Sequence, residues 1–325
     1  MKKLIFAFVT VLMVLVLSCE PNAASSSSGT SDEAKDVLKI CVIHNNADHP
    51  SIAAIVQGMD DEGKIYNAEI TYFDPVFDPQ RQASMIEDSI ARRPDVIVVN
   101  CVDPVAVIPA IRRAYENNIP VITHNANVGA EGLQYIQGYV GTQGYNQGYA
   151  VGKMMVSNFG SRQIKVVVIG GRAGQTDAIA RVEGMQDAWS DAGMNYTIIS
   201  DQPADWSKDR ALTIMQDLLT RFPDGSIDAV FACDDPMALG AVEAIRAAGR
   251  KNIAVYGVNG NLDAFTAIRA GDMKGTALQM SYLVGVYTVR AAYDVKMKRI
   301  IPDITMAPTA PITIDNIDEW QRFAW

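Results

Sequence analysis

From Val37 onward, short apolar runs rich in β-branched residues alternate with longer segments in which apolar and polar residues recur at helical spacing. The first pairs are LKICVIH with SIAAIVQGMDDEGKIY, ITYFD with PQRQASMIEDSIARR, and DVIVVN with AVIPAIRRAYENN. Strands that alternate with helices of this length indicate βαβ units, in which the strands run parallel. The pattern therefore predicts an α/β protein with parallel sheets flanked by helices.

Two distant segments repeat one pattern. They begin at Asp95, DVIVVNCVDPVAVIPAIRRAYENNIPVITHNAN, and at Asp228, DAVFACDDPMALGAVEAIRAAGRKNIAVYGVNGN. Each runs from a strand through C-x-D-P, a helix and N-I-x-V to a strand that ends in N-x-N. The repeat predicts two Rossmann-like lobes of similar topology, although common βαβ sequences can also resemble each other by chance. Ligands of such sheets bind beyond the carboxyl ends of the strands, so the loops of both lobes would line one cleft.

The chain begins with a different pattern. Lys2 and Lys3 precede LIFAFVTVLMVLVLS, an apolar run too short to favour a membrane-spanning helix, so residues 1–18 are interpreted as a secretory signal peptide. The motif VLSC, which ends at Cys19, resembles the lipobox of bacterial lipoproteins, in which the cysteine is acylated. This resemblance implies a lipid anchor at the outer face of the cytoplasmic membrane, and a freely soluble periplasmic form is the alternative. Residues 19–36, with SSSSGTSDEAKD, predict a flexible tether.

Composition narrows the possible functions. A net charge of -9 argues against nucleic-acid partners, which select basic surfaces. Beyond Cys19 the cysteines are Cys41, Cys101 and Cys233, each within an apolar run, which predicts buried free thiols rather than disulfides. Motifs such as G-x-S-x-G and H-E-x-x-H do not occur in the sequence, so we expect a protein that is not an enzyme and has no cofactor.

Five motifs in order, NIPVITHN, GGRAGQTDAIARVEGM, SDQPADWSKDRALTIMQDLLT, VFACDDPMALGAVEAI and VYGVNGNLDA, carry a family resemblance. Over about Leu38 to Ile314 the chain resembles the type I periplasmic substrate-binding proteins of ABC sugar importers, in the ribose- and galactose-binding branch. The resemblance implies a monomer that clamps a sugar or polyol between two lobes by hinge bending and presents it to an ABC permease and its ATPase. A sensor that signals to a membrane receptor without transport is the alternative.

The resemblance also implies where the lobes are divided and which residues contact the ligand. The N-terminal lobe would comprise 37–142 plus 280–308 and the C-terminal lobe 143–279 plus 309–325, joined by a three-crossing hinge. The implied ligand residues are Asn45, His49, Ser51, Asn125, Thr142, Arg172, Asp177, Arg181, Trp206, Asp234, Asn259 and Gln279. Amides, carboxylates and guanidinium groups suit sugar hydroxyls, and Trp206 would stack on the apolar face of a sugar ring.

Several positions depart from the ribose-binding pattern. Asn125-Ala126 stands where an Asp-Arg pair is usual, and Ser51-Ile52 stands where aromatic residues form a second stacking wall. Asn259 replaces an aspartate, whereas Arg172 and Asp234 add charge. The positive charges of Arg172 and Arg181 would nearly balance the negative charges of Asp177 and Asp234, so we expect a neutral polar ligand and leave its identity open.

The three histidines raise a separate question. His49 falls on an implied ligand position, whereas His44 and His124 neighbour such positions at strand ends. Because side chains alternate along a strand, Asn125 toward the cleft would place His124 toward the core. A zinc site would need all three imidazoles to converge on one ion, so we expect no metal. Asp235, followed by Pro236, predicts an N-cap and the first turn of a helix.

Overall fold

Two six-stranded sheets, each covered by helices, form the framework of the molecule. The computed structural model describes residues 37–325. The predicted signal peptide, Cys19 and the tether lie outside the described residues. Among the residues described, no helix is both long and apolar enough to cross a membrane.

The elements follow the alternation expected from the sequence. The first group is β1 Leu38–Ile43, α1 Pro50–Ile65, β2 Ala68–Phe73, α2 Pro79–Arg92, β3 Val96–Val99, α3 Ile108–Glu116, β4 Val121–His124 and β5 Gly138–Gly141. The second group is α4 Gly144–Phe159, β6 Ile164–Gly170, α5 Thr176–Asp191, β7 Tyr196–Pro203, α6 Lys208–Arg221, β8 Ala229–Ala232, α7 Asp235–Ala247, β9 Ala254–Asn259, α8 Leu262–Ala270 and β10 Gly275–Gln279. The chain ends with α9 Ser281–Lys296, β11 Ile304–Met306, β12 Thr309–Ile312 and α10 Ile317–Trp320.

The two sheets have the same strand order. The first is β11-β5-β4-β3-β1-β2 and the second is β12-β10-β9-β8-β6-β7. The strand pairs are parallel except that β12 runs antiparallel to β10. The chain enters the second sheet after β5, and α9 returns it to the first lobe by packing on α1. The predicted fold of two α/β lobes is thus confirmed, with one antiparallel strand added.

The cores lie between the sheets and their helices. The central strands are buried on both faces, which explains their continuous apolar sequences, such as VIVV in β3 and AVFA in β8. Cys41, Cys101 and Cys233 are buried free thiols, as the sequence predicted. Burial raises the pKa of each thiol, that of Cys233 to about 12.

Three helix pairs pack closely, α1 with α9, α4 with α5, and α6 with α7. Glycines allow the helix backbones to meet in the first pair. A Cβ atom on Gly58 would lie 2.0 Å from the carbonyl oxygen of Tyr282, and one on Gly285 would lie 2.0 Å from that of Ile55. The α1–α9 contact therefore depends on the absence of side chains at both positions.

The start of α7 corrects one expectation. Asp234, not Asp235, is the N-cap, because its Oδ1 accepts a hydrogen bond from the backbone N–H of Met237 at 2.8 Å. Asp235 is the buried first residue of the helix. Its carboxylate accepts the N–H groups of Gly260 and Asn261 and the hydroxyl of Thr276. Asp235 thereby fixes the turn that follows β9.

Candidate ligand-binding site

One cavity lies between the lobes at the carboxyl ends of the strands, with about 450 Å³ of empty space, part of it open to solvent. Both lobes contribute side chains to it. Its lining is Asn45, His49, Ser51, Ile52, Phe77, Asn125, Ala126, Gln175, Asp177, Arg181, Trp206, Asn259 and Gln279. Most of the residues implied by the sequence resemblance are therefore brought together in one place.

The first-lobe residues come from the loops after β1, β2 and β4 and from the first turn of α1. His49 is the N-cap of α1, with Pro50 as the first helical residue, and its Nδ1 accepts the backbone N–H of Ser51 at 3.3 Å. The same nitrogen lies 2.8 Å from the hydroxyl of Ser51. Asn125 follows β4 with a left-handed φ of 57°, a conformation that asparagine tolerates better than most residues. The cap and the turn together aim polar groups at the cavity.

Arg181, on α5, donates three hydrogen bonds within the second lobe. It is only 4% exposed. Its guanidinium donates to Oε1 of Gln147 at 3.0 Å, to the carbonyl of Cys233 at 2.5 Å and to Oε1 of Gln279 at 2.8 Å. The planar fork thus joins α5, α4 and the ends of β8 and β10 into one rigid wall.

Trp206 lies in the turn between β7 and α6. Asp205 and Trp206 both have left-handed φ values, 53° and 62°, immediately before the N-cap Ser207. The indole Nε1 donates to Oε1 of Gln175 at 2.5 Å, and the guanidinium of Arg181 lies 5.6 Å from the ring. A Cβ on Gly171 would fall 2.3 Å from the indole, so the close approach of the ring to this backbone requires glycine.

The charges that line the cavity are close to balanced. Burial raises the pKa of Asp177 to about 6, and the nearby positive charge of Arg181 opposes this rise. Asp234 does not line the cavity but faces His49 from the second lobe. A site of this kind favours a neutral ligand with hydroxyl groups, because a net charge on the ligand would lack a dedicated counter-ion.

Direct hydrogen bonds join the lobes across the cleft. His49 Nε2 lies 3.0 Å from Asp234 Oδ2. Gln279 Nε2 donates to Asn125 Oδ1 at 3.1 Å, and Gln175 Nε2 donates to the carbonyl of Val102 at 3.2 Å. The lobes are therefore in contact, and the described conformation is closed.

Three implied ligand residues lie outside the cavity lining. The carboxylate of Asp234 is occupied by its cap and by His49. Arg172 lies at the outer mouth of the cleft, with its guanidinium 5.4 Å from the ring of Phe77. Thr142 is buried just after β5, and its hydroxyl has no hydrogen-bond partner within residues 37–325.

The other two histidines lie in the core of the first lobe. Their rings are 5.7 Å apart in an edge-to-face arrangement, and His44 also stacks on Tyr72 at 5.5 Å. Burial lowers the pKa of His44 to about 4 and that of His124 well below its usual value. His49 does not join this pair, and no group of three or more His, Cys, Asp or Glu in the described part of the chain is arranged to hold a metal ion.

Phe77 and Gln175 line the cavity but were not identified from the sequence. A signal for Phe77 was present, since it stands directly before the N-cap Asp78 as Trp206 stands before the N-cap Ser207. Gln175 carried no comparable signal, because its role depends on contacts with the distant residues Trp206 and Val102.

Comparisons with known proteins agree with the two-lobed fold. Residues 40–299 match the model of the periplasmic binding protein domain. The chain is 30% identical to the ribose import binding protein RbsB of Bacillus subtilis, over 95% of this chain and 98% of that protein. A solute binding protein of an ABC transporter from Mycobacterium smegmatis, solved with bound glycerol, is 30% identical, with a TM-score of 0.82 over 87% of this chain and 96% of that one. A Caulobacter myo-inositol binding protein, solved with myo-inositol, is 26% identical, with a TM-score of 0.82 over 88% and 96% of the two chains.

Proposed function

Because the chain belongs to the periplasmic binding protein domain family, we propose that it is the solute-binding protein of an ABC importer and takes a small neutral sugar or polyol into its cleft. The observation that carries this proposal is the cavity between the lobes, which combines amide, imidazole and guanidinium groups with the indole of Trp206. The ligands in the names of its relatives, ribose, glycerol and myo-inositol, share hydroxyl groups and a neutral charge.

The residues implied by the resemblance and lining the cavity have complementary roles in this proposal. Asn45, Asn125 and Asn259 offer both donors and acceptors to hydroxyl groups. Arg181 and Asp177 provide stronger, charge-assisted bonds. Trp206 supplies apolar contact that hydrogen bonds cannot give.

Closure of the lobes is the proposed mechanism. We place the hinge at the three chain crossings, with lobes 37–142 plus 280–308 and 143–279 plus 309–325. A ligand that contacts both lobes only in the closed form shifts the population toward that form, which the permease and its ATPase would then recognise. The bonds of His49 and Gln175 across the cleft add to closure, because each joins the two lobes directly.

The family and the N-terminal sequence both support a location outside the cytoplasm. We propose that the chain acts on the outer side of the cytoplasmic membrane, exported by residues 1–18 and anchored through an acylated Cys19. Metabolic labelling with a radioactive fatty acid tests the anchor. Label on the wild type and none on Cys19→Ser supports it, whereas an unlabelled wild type contradicts it.

A thermal-shift screen tests the binding proposal. The purified protein is heated with D-ribose, D-allose, myo-inositol, xylitol or glycerol, and with leucine, adenosine or zinc chloride as other classes. A ligand at one hundred times its dissociation constant adds about 2.7 kcal/mol to the free energy of unfolding. A shift with a sugar or polyol supports the proposal. A shift with zinc, leucine or adenosine alone, or with none of the compounds, contradicts it.

A further inference from the structure

Phe77 takes a place in the cleft that neither the family resemblance nor the sequence pattern assigned to it. We propose that Phe77 is the apolar wall of the first lobe, that it works together with Trp206 from the second lobe, and that the two rings favour a cyclic ligand over an open-chain polyol. This inference rests on the proposed function, because it names the class of ligand for the same cleft.

The turn that carries Phe77 is conformationally strained. Val76 and Phe77 have φ values of 54° and 57°, a region that residues with β-branched or bulky side chains rarely adopt. The turn is held by hydrogen bonds from the Val76 N–H to Asp74 Oδ1 at 2.9 Å and from the Phe77 N–H to the carbonyl of Asn45 at 2.7 Å. Strain that surrounding contacts maintain in this way is typical of functional sites.

The second lobe contains the same kind of strained turn at the equivalent position. The strand order makes β2 of the first sheet correspond to β7 of the second, and each is followed by a helix. In both connections two consecutive left-handed residues precede a side-chain N-cap, and the second of the two is aromatic: Phe77 before Asp78, and Trp206 before Ser207. Both rings line the inter-lobe cavity.

Phe77 compensates for what the first lobe lacks elsewhere. At the start of α1, where the ribose-binding pattern has aromatic residues, Ser51 offers no stacking surface. The half-buried ring of Phe77 restores an apolar surface from another loop. In the closed form, the guanidinium of Arg172 from the second lobe lies 5.4 Å from this ring.

Two aromatic side chains that face the cavity favour a ligand that is itself a ring. A pyranose or a cyclitol presents fixed C–H faces, which pack on aromatic rings with little loss of freedom. An open-chain polyol must first freeze several torsions to present a comparable face, and this loss offsets part of the contact energy. The polar residues of the cavity can form hydrogen bonds with the hydroxyl groups of cyclic and open-chain ligands alike. The preference for cyclic ligands therefore comes from the rings of Phe77 and Trp206.

Calorimetric titration tests the inference, with myo-inositol, D-allose and D-ribose as cyclic probes and xylitol and glycerol as open-chain probes. The key variant is Phe77→Asn, because asparagine tolerates the left-handed conformation and so preserves the turn while it removes the ring. Phe77→Tyr keeps the ring. Val76→Ala is the matched control, since Val76 shares the turn but is exposed and does not line the cavity.

We expect Phe77→Asn to weaken the affinity for the best cyclic probe about fivefold to tenfold, the range of an aromatic contact. Phe77→Tyr and Val76→Ala should retain the affinity to within about twofold. Unchanged affinity in Phe77→Asn overturns the inference and leaves the proposed function intact. A wild type that prefers xylitol or glycerol to every ring also overturns it. A wild type that binds none of the probes removes both proposals.

Discussion

Arg181 gives the clearest link between one residue and the rigidity of the cleft. It is buried, and its guanidinium satisfies acceptors on three separate segments of the second lobe. A lysine has the same charge but a single ammonium group, which cannot reach all three acceptors from one position. The planar shape of the guanidinium, and not only its charge, is therefore what links α5, α4 and the ends of β8 and β10.

We expect Arg181→Lys to lower the free energy of unfolding by about 1–3 kcal/mol, because buried acceptors lose their donors. Urea denaturation followed by circular dichroism measures this change. Arg112→Lys is the control, since Arg112 is exposed and forms a surface ion pair with Glu116 at 3.5 Å, and it should change stability by less than about 0.5 kcal/mol. Equal stability of the Arg181 variant and the wild type would show that the three bonds are not needed.

The burial of His44 leads to a prediction about how the stability of the folded protein depends on pH. Its pKa is near 6.5 in the unfolded chain and about 4 in the folded protein, since burial disfavours the charged form. The unfolded state therefore binds more protons as the pH falls below 6.5, and His44 costs the folded state stability between pH 6.5 and pH 4. Asp177 and Asp235 act in the opposite direction, because burial raises their pKa values. A variant that removes only His44 separates the two effects.

His44→Phe keeps an aromatic ring next to Tyr72 but cannot titrate. Relative to the wild type, we expect its free energy of unfolding to improve by about 2 kcal/mol when the pH falls from 7 to 5. Urea unfolding at both pH values measures the difference. If the two proteins respond to pH in parallel, the buried imidazole does not carry the predicted cost.

At the scale of elements, the contact between α1 and α9 depends on Gly58 and Gly285, where a side chain would collide with the backbone of the facing helix. Such a collision cannot be relieved by a rotamer change, since the obstructing atoms are carbonyl oxygens. The helices would have to separate, and the apolar contacts around them would be lost.

We expect Gly58→Ala to lower the free energy of unfolding by about 1–3 kcal/mol, the usual range for overpacking. Gly63→Ala is the matched control in the same helix, because the added Cβ would lie 3.1 Å from the flexible end of the Ile70 side chain and in ordinary contact, at 3.6 Å, with the Cβ of Ala68. Alanine also favours a helix over glycine by about 1 kcal/mol. The control should therefore lose little stability or gain some. Thermal melts of both variants measure the two changes, and equal melting temperatures would contradict the prediction.

The elements were also the part of the structure that the sequence predicted best. The apolar runs of β3 and β8 and the helices after them follow from periodicity alone, because buried parallel strands need continuous apolar sequence. The antiparallel strand β12, Thr309–Ile312, was not predicted, since a short edge strand that includes Pro311 has no such pattern. The cap of α7 was assigned one residue late because both Asp234 and Asp235 suit an N-terminus.

Only those site residues that lie in motifs of the family could be predicted from the sequence. Asn45, His49 and Trp206 were found by resemblance, and all three line the cavity. Phe77 was missed because the resemblance pointed to α1 for the first-lobe wall, whereas the ring comes from the loop after β2. The bond from His49 to Asp234 joins residues of different lobes, and local sequence carries no information about that distance.

At the scale of the whole molecule, the lobes are held closed by hydrogen bonds of their own. The bond between His49 and Asp234 joins the N-caps of α1 and α7, so the two helices face each other across the cleft. This bond contributes to closure in addition to any ligand, and it biases the equilibrium between open and closed forms.

His49→Ser tests this contribution, because serine can still cap α1 but cannot reach Asp234. Without ligand, we expect the variant to populate more open molecules and to show a larger radius of gyration in small-angle X-ray scattering. Asp48→Ser, at the exposed neighbouring position, should scatter like the wild type. Identical curves for His49→Ser and the wild type would mean that the bond does not hold the lobes together.

The buried thiols of Cys41, Cys101 and Cys233 have a practical consequence for following these motions. A thiolate attacks a maleimide dye, and burial both raises the pKa of these thiols and blocks access to them. A single cysteine introduced at an exposed position near the cleft, such as Val76→Cys, would therefore take up the dye ahead of them. Opening and closing of the lobes would then change the wavelength or the intensity of the dye's fluorescence. The labelled protein could serve as an optical sensor for the solute that it binds.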